Sequence, residues 1–125
     1  MKLEYIEDSS LNGPLIRLFD FDVAEAIRLR HMIEDLAEDS KRVIELHLAD
    51  FVEQIDSCQL ILSTEDRDLG IIKFADPVSF QCALTSESWH NIEGLIDPFT
   101  RLDGCGFQWL NETSIPFLIS LDGRW

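Results

Sequence analysis

Residues 22–39 read DVAEAIRLRHMIEDLAED, and this stretch decides the fold. At 100° per residue its apolar side chains form one stripe of a helix, and its charged side chains lie opposite. Asp22 can accept hydrogen bonds from the free N–H groups of the first turn, and Glu25 completes a capping box. Because an amphipathic helix needs an apolar surface to pack on, the pattern predicts a helix on a sheet. The stripe consists of Ala26, Leu29, Ile33, Leu36 and Ala37.

Apolar stretches on both sides of this helix predict strands. Residues 44–48 alternate, with Ile44, Leu46 and Leu48 on one face, and residues 78–84 alternate most regularly. A polar turn joins two further stretches into a predicted hairpin, and residues 1–12 are predicted to be a frayed start or a short edge strand. The predicted strands are 15–21, 44–48, 58–63, 71–74, 78–84, 107–110 and 117–121, with 58–63 paired to 71–74 and 107–110 paired to 117–121.

A second helix is predicted after Thr85, which can cap it, and it must stop before Pro98. Trp89, Ile92 and Ile96 share one face, and Gly94 weakens the helix, so the helix depends on Trp89 being docked. The connections between strands are too short for parallel crossovers. We therefore predict one α+β domain over residues 1–125. It would hold a mostly antiparallel sheet of six to seven strands and two helices, in the order β-α-β-β-β-β-α-β-β.

Ten basic residues against 24 acidic ones give a net charge of −14, and most of the excess lies in residues 1–68. Nucleic acids and anionic lipid surfaces are bound through Lys and Arg, so the charge argues against both as partners. A strongly negative surface instead favours solubility and rapid encounter with a positively charged protein. No stretch approaches the ~20 apolar residues of a membrane span.

The cysteines and the first residues indicate a cytoplasmic protein. Cys58, Cys82 and Cys105 are an odd number without a CxxC pair, which fits neither a disulfide framework nor a structural zinc site. Residues 1–8 carry acids where a signal peptide needs an apolar core.

No motif specific for a catalytic or cofactor site is present, and we predict no cofactor and no catalytic residue. Each histidine has acids close by, as with His31 and Asp35 or Glu45 and His47, and such pairs can supply two metal ligands. In a chain with 24 acids, this proximity arises readily by chance. We therefore predict no metal site either.

The favoured hypothesis is a non-catalytic protein-interaction module, of adaptor, inhibitor or immunity type, that binds a basic partner surface. Two alternatives stay open. One is a homo-oligomerising structural subunit that associates with itself through the aromatic side chains of the last hairpin, where Phe107 and Trp109 share a sheet face. The other is a small enzyme or metal-binding protein that uses His31 or His47 with nearby carboxylates. The candidate contact residues are Glu34, Asp35, Glu38 and Asp39 on the first helix, with Trp109 and Trp125.

Overall fold

A computed structural model of the chain describes residues 1–9, 13–39, 42–101, 106–113 and 115–125. The described part holds two α-helices, α1 (Val23–Glu38) and α2 (Ser86–Ile96), and 3-10 turns at Leu46–Leu48, Ile55–Ser57 and Asp97–Thr100. Its strands are β1 (Lys2–Ser9), β2 (Gly13–Phe19), β3 (Val43–Glu45), β4 (Glu53–Gln54), β5 (Gln59–Thr64), β6 (Gly70–Lys73), β7 (Ser79–Leu84), β8 (Phe107–Asn111) and β9 (Phe117–Ser120).

The strands form two sheets, and both are mixed. A five-stranded sheet has the order β4-β1-β2-β9-β8, in which the first and last hairpins of the chain join through the parallel pair β2–β9. A four-stranded sheet has the order β3-β5-β7-β6 around the parallel pair β5–β7. Apart from β4, the strands of the five-stranded sheet come from the two ends of the chain, the four-stranded sheet comes from its middle, and α1 and α2 lie in connections between the two sheets.

One apolar core joins both sheets to both helices. The predicted stripe of α1 lies in it, since Ala26, Leu29, Ile33 and Leu36 are all buried. From the sheets come alternate residues of the inner strands, such as Ile16 and Leu18 of β2 and Leu60 and Leu62 of β5. The helix that the sequence predicted over this stretch is confirmed, together with the face that it buries.

The predicted caps are also confirmed. The Glu25 N–H donates to Asp22 Oδ1 over 2.8 Å, and the Asp22 N–H donates to Glu25 Oε1 over 3.1 Å, which completes the capping box. Thr85 caps α2 by accepting from the Ser88 N–H, and α2 ends at Ile96, before Pro98. Trp89 is fully buried, and its indole N–H donates to the Ser63 carbonyl over 2.9 Å.

The α+β class with two helices is confirmed, but the single, mostly antiparallel sheet is wrong. The prediction assumed that strands adjacent in sequence pair with each other. Instead β6 separates β5 from β7 along the chain, and β5 and β7 still pair in parallel. The predicted hairpin of 58–63 with 71–74 does not form, because β6 pairs with β7 and not with β5.

Two local predictions also differ from the structure. Residues 2–9 form β1, which lies between β4 and β2 and is not an edge. The predicted strand 44–48 stops at Glu45 and continues as a 3-10 turn, in which Leu46 is buried while Leu48 is 67 % exposed. Ile44, Leu46 and Leu48, which alternate along the predicted strand 44–48, therefore do not share one face.

Candidate functional site

Three parts of the chain meet at one end of the molecule. Because β5 and β7 are parallel, their carboxyl ends lie at the same edge of the four-stranded sheet. The Thr64 hydroxyl at the end of β5 donates to the Leu36 carbonyl of α1 over 2.6 Å. The Ser86 hydroxyl at the start of α2 donates to the Ala37 carbonyl. The last turn of α1, the loop after β5 and the first turn of α2 therefore form one surface.

This surface is crowded with carboxylates, and we name it the acidic end. Among the described residues in and next to these segments, the cations are Arg67, in the loop after β5, and Arg42, which precedes β3. The Arg42 guanidinium reaches Asp35 only at 3.9 Å, where both side chains are exposed, so it offsets little of the charge. The acidic end consists of seven exposed residues, which are Asp35, Glu38, Asp39, Glu65, Asp66, Asp68 and Glu87.

Asp68 ties the loop of the acidic end to α2. Its carboxylate accepts from the Thr85 N–H and from the Ser88 hydroxyl, each over 2.8 Å. The backbone hydrogen bond from Thr85 is the main cause that lowers the pKa of Asp68, and the bond from Ser88 adds to it. The carboxylate therefore stays ionised at neutral pH while it holds the loop in place.

The acids of α1 stand where they destabilise the helix. The carboxyl end of a helix carries partial negative charge, which favours cations, yet the last turn of α1 contains no basic residue. Asp35 and Glu38 lie in that turn and Asp39 is the C-cap. Negative charge at this place therefore costs the fold some stability.

Replacing Glu38 with glutamine is expected to raise the free energy of unfolding by about 0.3–1 kcal/mol at low ionic strength. Glu87 provides the matched control, because it lies in the first turn of α2, where a carboxylate stabilises the helix. Glu87→Gln is therefore expected to lower stability by a similar amount. Urea unfolding of both variants at low and high salt measures these changes in the free energy of unfolding. Changes of equal size and the same sign in the two variants would contradict the helix-dipole explanation.

The four acids predicted as contact residues on α1 do not all lie on the same surface. Asp35, Glu38 and Asp39 lie at the acidic end, whereas Glu34 lies 3.6 Å from Arg30, which precedes it by four residues on α1. Arg30 also contacts Glu93 at 3.2 Å and Asp97 at 3.0 Å. These carboxylates raise the pKa of Arg30, and the hydrogen bond that Arg30 donates to Glu93 is the largest cause. Glu34 therefore belongs to an ion cluster that links α1 to α2.

Sequence reasoning missed the rest of the acidic end, which consists of Glu65, Asp66, Asp68 and Glu87. Each lies far along the chain from α1, and no periodicity connects them to it. The signal that could have found them is the parallel pairing of β5 with β7, because the residues after parallel strands meet at one edge.

A second surface is the outer face of the five-stranded sheet, which turns away from the core. Phe107 and Trp109 share it, as predicted, with ring centroids 6.4 Å apart. Trp109 pairs with Leu118 of β9, and Leu118 pairs with Arg17 of β2, so all three residues face the same way. The Arg17 guanidinium lies 5.7 Å from the Trp125 ring, which places both predicted tryptophans on this face.

The three histidines differ in their surroundings. His31 is exposed on α1, and His90 is exposed on α2 with its Nδ1 3.6 Å from Glu93. His47 is buried, and its Nδ1 lies 3.1 Å from the backbone nitrogen of Leu60 and 3.3 Å from the Leu60 carbonyl oxygen, contacts that fit a structural role. Among the residues that the structure describes, no group of three or more His, Cys, Asp or Glu side chains is placed to hold a metal ion.

Two of the cysteines are buried among apolar side chains. Burial raises the pKa of the Cys58 thiol to about 12, and burial also raises the pKa of the Cys82 thiol. Both thiols are therefore protonated at neutral pH and are poor nucleophiles. Cys105 lies outside the described residues.

The comparisons with known proteins add no further assignment. Over the described residues, no helix has the length and apolar character that crossing a bilayer requires. No family model matches the chain, no curated protein matches its sequence, and no solved structure matches its fold.

Proposed function

We propose that this chain is a non-catalytic protein-interaction module whose acidic end binds a basic surface on another protein. The observation that supports this is the convergence of seven exposed carboxylates from three separate segments at one end of the molecule. Those of α1 lie at the carboxyl end of the helix, where negative charge disfavours the helix. A partner that supplies positive charge would compensate this cost.

Charge alone gives a rapid encounter but little lasting affinity, because an exposed ion pair contributes only ~0–1 kcal/mol. Specific interfaces also bury an apolar centre. At the acidic end such groups are available next to the charges. Val43 follows Arg42 and is 62 % exposed, and Leu69 follows Asp68 and is 46 % exposed. The partner surface that fits best is therefore basic with apolar side chains between its cations.

A titration of the isotope-labelled chain with a lysine- and leucine-rich peptide tests where such a surface binds. The expected result is that amide shifts concentrate at residues 35–39, 65–69 and 86–88, and that they weaken as salt screens the charges. Amide shifts spread evenly over the acidic residues of the whole chain would contradict the proposal. The same pattern of amide shifts is expected if some of the lysines of the peptide are replaced by arginine.

No observation among the described residues favours the enzyme alternative over this one. His31 is exposed on α1, and His47 is buried and already bonds to the backbone.

A further inference from the structure

The four-stranded sheet has one face in the core and one face turned away from it, and we name the second the far face. On the core side lie alternate residues of its strands, such as Leu60 of β5, Ile71 of β6 and Phe80 of β7. Because successive side chains of a strand point to opposite faces, the residues between these belong to the far face. We define the far face by six of its residues, which are Val43, Glu45, Ile61, Ile72, Phe74 and Gln81.

Apolar side chains of the far face are exposed to solvent. Ile72 is 38 % exposed and Phe74 is 39 % exposed, and Val43 is more exposed still. Phe74 continues the far face beyond the end of β6, because its N–H donates to the Ser79 carbonyl of β7 over 3.0 Å. Exposed apolar side chains grouped on one sheet face are typical of a contact surface.

The far face continues directly into the acidic end. Val43 pairs with Ser63, the residue before the end of β5. Gly70 pairs with Ala83, the residue before the end of β7. The loop from β5 to β6 carries three carboxylates of the acidic end immediately beyond these positions. An occupant of the far face that extends past its edge therefore meets the carboxylates.

The charge of the far face matches that of the acidic end. Glu45 is the one charged residue among the six. The cation of β6, Lys73, lies on the opposite side of its strand from Ile72, and its ammonium is 5.5 Å from the Tyr5 ring. A complementary occupant is therefore apolar over Ile72 and positively charged toward the acidic end.

The edges of this sheet are poorly suited to an added strand. β3 and β6 are the edge strands. β3 has three residues and is followed at once by the 3-10 turn at Leu46–Leu48. At the start of β6, a Cβ added to Gly70 would lie 2.5 Å from the Thr113 side chain, so that side chain sits against the strand. Short or covered edges disfavour pairing with another chain, so the occupant lies over the face.

The far face has the size of one helix. Four strands about 4.8 Å apart make it roughly 14 Å wide, and the stretch from Gly70 to Phe74 makes it about 13 Å long. An α-helix is about 10–12 Å in diameter, and three turns of it are about 16 Å long. One helix of three turns therefore covers the far face, in the way that helices cover sheet faces within domains.

We propose that the partner presents an amphipathic helix, which packs its apolar stripe on the far face and carries lysine or arginine side chains at the end that reaches the acidic end. This inference rests on the proposed function, because it identifies the part of the partner that the acidic end recruits. The apolar contact supplies the affinity that exposed ion pairs lack.

Two peptides of the same lysine and leucine composition test the inference. In the first, the leucines have helical spacing, at i, i+3, i+4 and i+7, and in the second they alternate with lysine. Both peptides are expected to shift the amides of the acidic end in the isotope-labelled chain. The first is expected also to shift the amides of residues 43–45, 61 and 72–74, and to bind about 10-fold more tightly than the second.

A double variant of the chain, Ile72→Thr with Phe74→Thr, removes apolar contact area and keeps residues that favour strands. It is expected to bind the first peptide about 10-fold more weakly and the second within about twofold of the parent chain. The matched control combines Ile27→Thr with Leu48→Thr. Ile27 is as exposed as Ile72 but lies on α1, and Leu48 lies in a 3-10 turn. The control is expected to bind both peptides as the parent chain does.

Equal binding of the first peptide to the far-face variant and to the control would overturn the inference. The proposed function would still stand in that case if the amides of the acidic end shift. If neither peptide shifts those amides, the proposed function fails, and this inference fails with it. Should circular dichroism show that the double variant does not fold, Ile72→Thr alone is compared with Ile27→Thr, and the same difference in direction is expected.

Discussion

Replacing Trp89 with alanine is expected to lower the free energy of unfolding by about 3–5 kcal/mol. The side chain is fully buried in the core that joins both sheets to both helices. Its removal leaves a cavity, and it also leaves the Ser63 carbonyl without the indole N–H that donates to it over 2.9 Å. Since small domains are stable by only about 5–15 kcal/mol, this single change would remove a large share of the total.

Two further variants separate packing from hydrogen bonding at this position. Trp89→Phe keeps most of the apolar volume but loses the donor, so a smaller cost of about 1–3 kcal/mol is expected. Trp125→Ala is the matched control, because Trp125 is 37 % exposed and should cost less than about 1 kcal/mol. Urea unfolding followed by far-ultraviolet circular dichroism measures all three. If Trp89→Ala lowers the free energy of unfolding no more than Trp125→Ala does, the expected contribution of Trp89 to the core is contradicted.

Elements with a local signal were predictable from the sequence. The stripe of α1 and its capping box depend on residues within one or two turns of each other, and both are present. The same holds for α2 with its Thr85 cap, and for the pairing of β8 with β9. In each case the residues that determine the element are close together in sequence.

The partition into two sheets was not predictable in this way. β2 pairs with β9, which lies about a hundred residues later, and no periodicity names a distant partner. The stretch 44–48 shows a second limit. Three apolar residues at alternate positions fit a strand, but the chain turns after Glu45 to place Leu46 and His47 in the interior. So short a pattern does not distinguish the two conformations.

For the same reason, only the α1 residues of the acidic end were predictable from the sequence. Its α1 residues follow from the polar side of an amphipathic helix, which sequence shows directly. Its loop and α2 residues depend on how β5 and β7 pair, which is a tertiary property. The outer face of the five-stranded sheet is similar, since the shared orientation of Phe107 and Trp109 is local, whereas the return of residues 121–125 onto Arg17 is not.

Neutralising four carboxylates of the acidic end is expected to weaken binding of a lysine- and leucine-rich peptide by about 1–3 kcal/mol, roughly 5- to 150-fold. Each exposed ion pair contributes little, but four that face one ligand add up. The loss should shrink as ionic strength rises, because salt screens exposed charges. The variant combines Asp35→Asn, Glu38→Gln, Glu65→Gln and Asp66→Asn.

The matched control removes the same amount of charge elsewhere. It combines Glu7→Gln, Asp8→Asn, Glu53→Gln and Asp56→Asn, all at exposed positions. Asp56 precedes the start of β5, and the acidic end follows its finish, so roughly 20 Å of strand separates the two. At that distance screening leaves the charge of Asp56 little influence on a peptide bound at the acidic end, and the other three control residues lie on strands β1 and β4, which belong to the other sheet.

The most direct test of the central claim is the ratio of the two losses in peptide affinity, measured by fluorescence anisotropy at near-physiological salt. If the acidic end is the binding surface, its variant loses at least several-fold more affinity than the control. If the two variants lose the same affinity, the peptide responds to net charge alone, and the acidic end is not the binding surface.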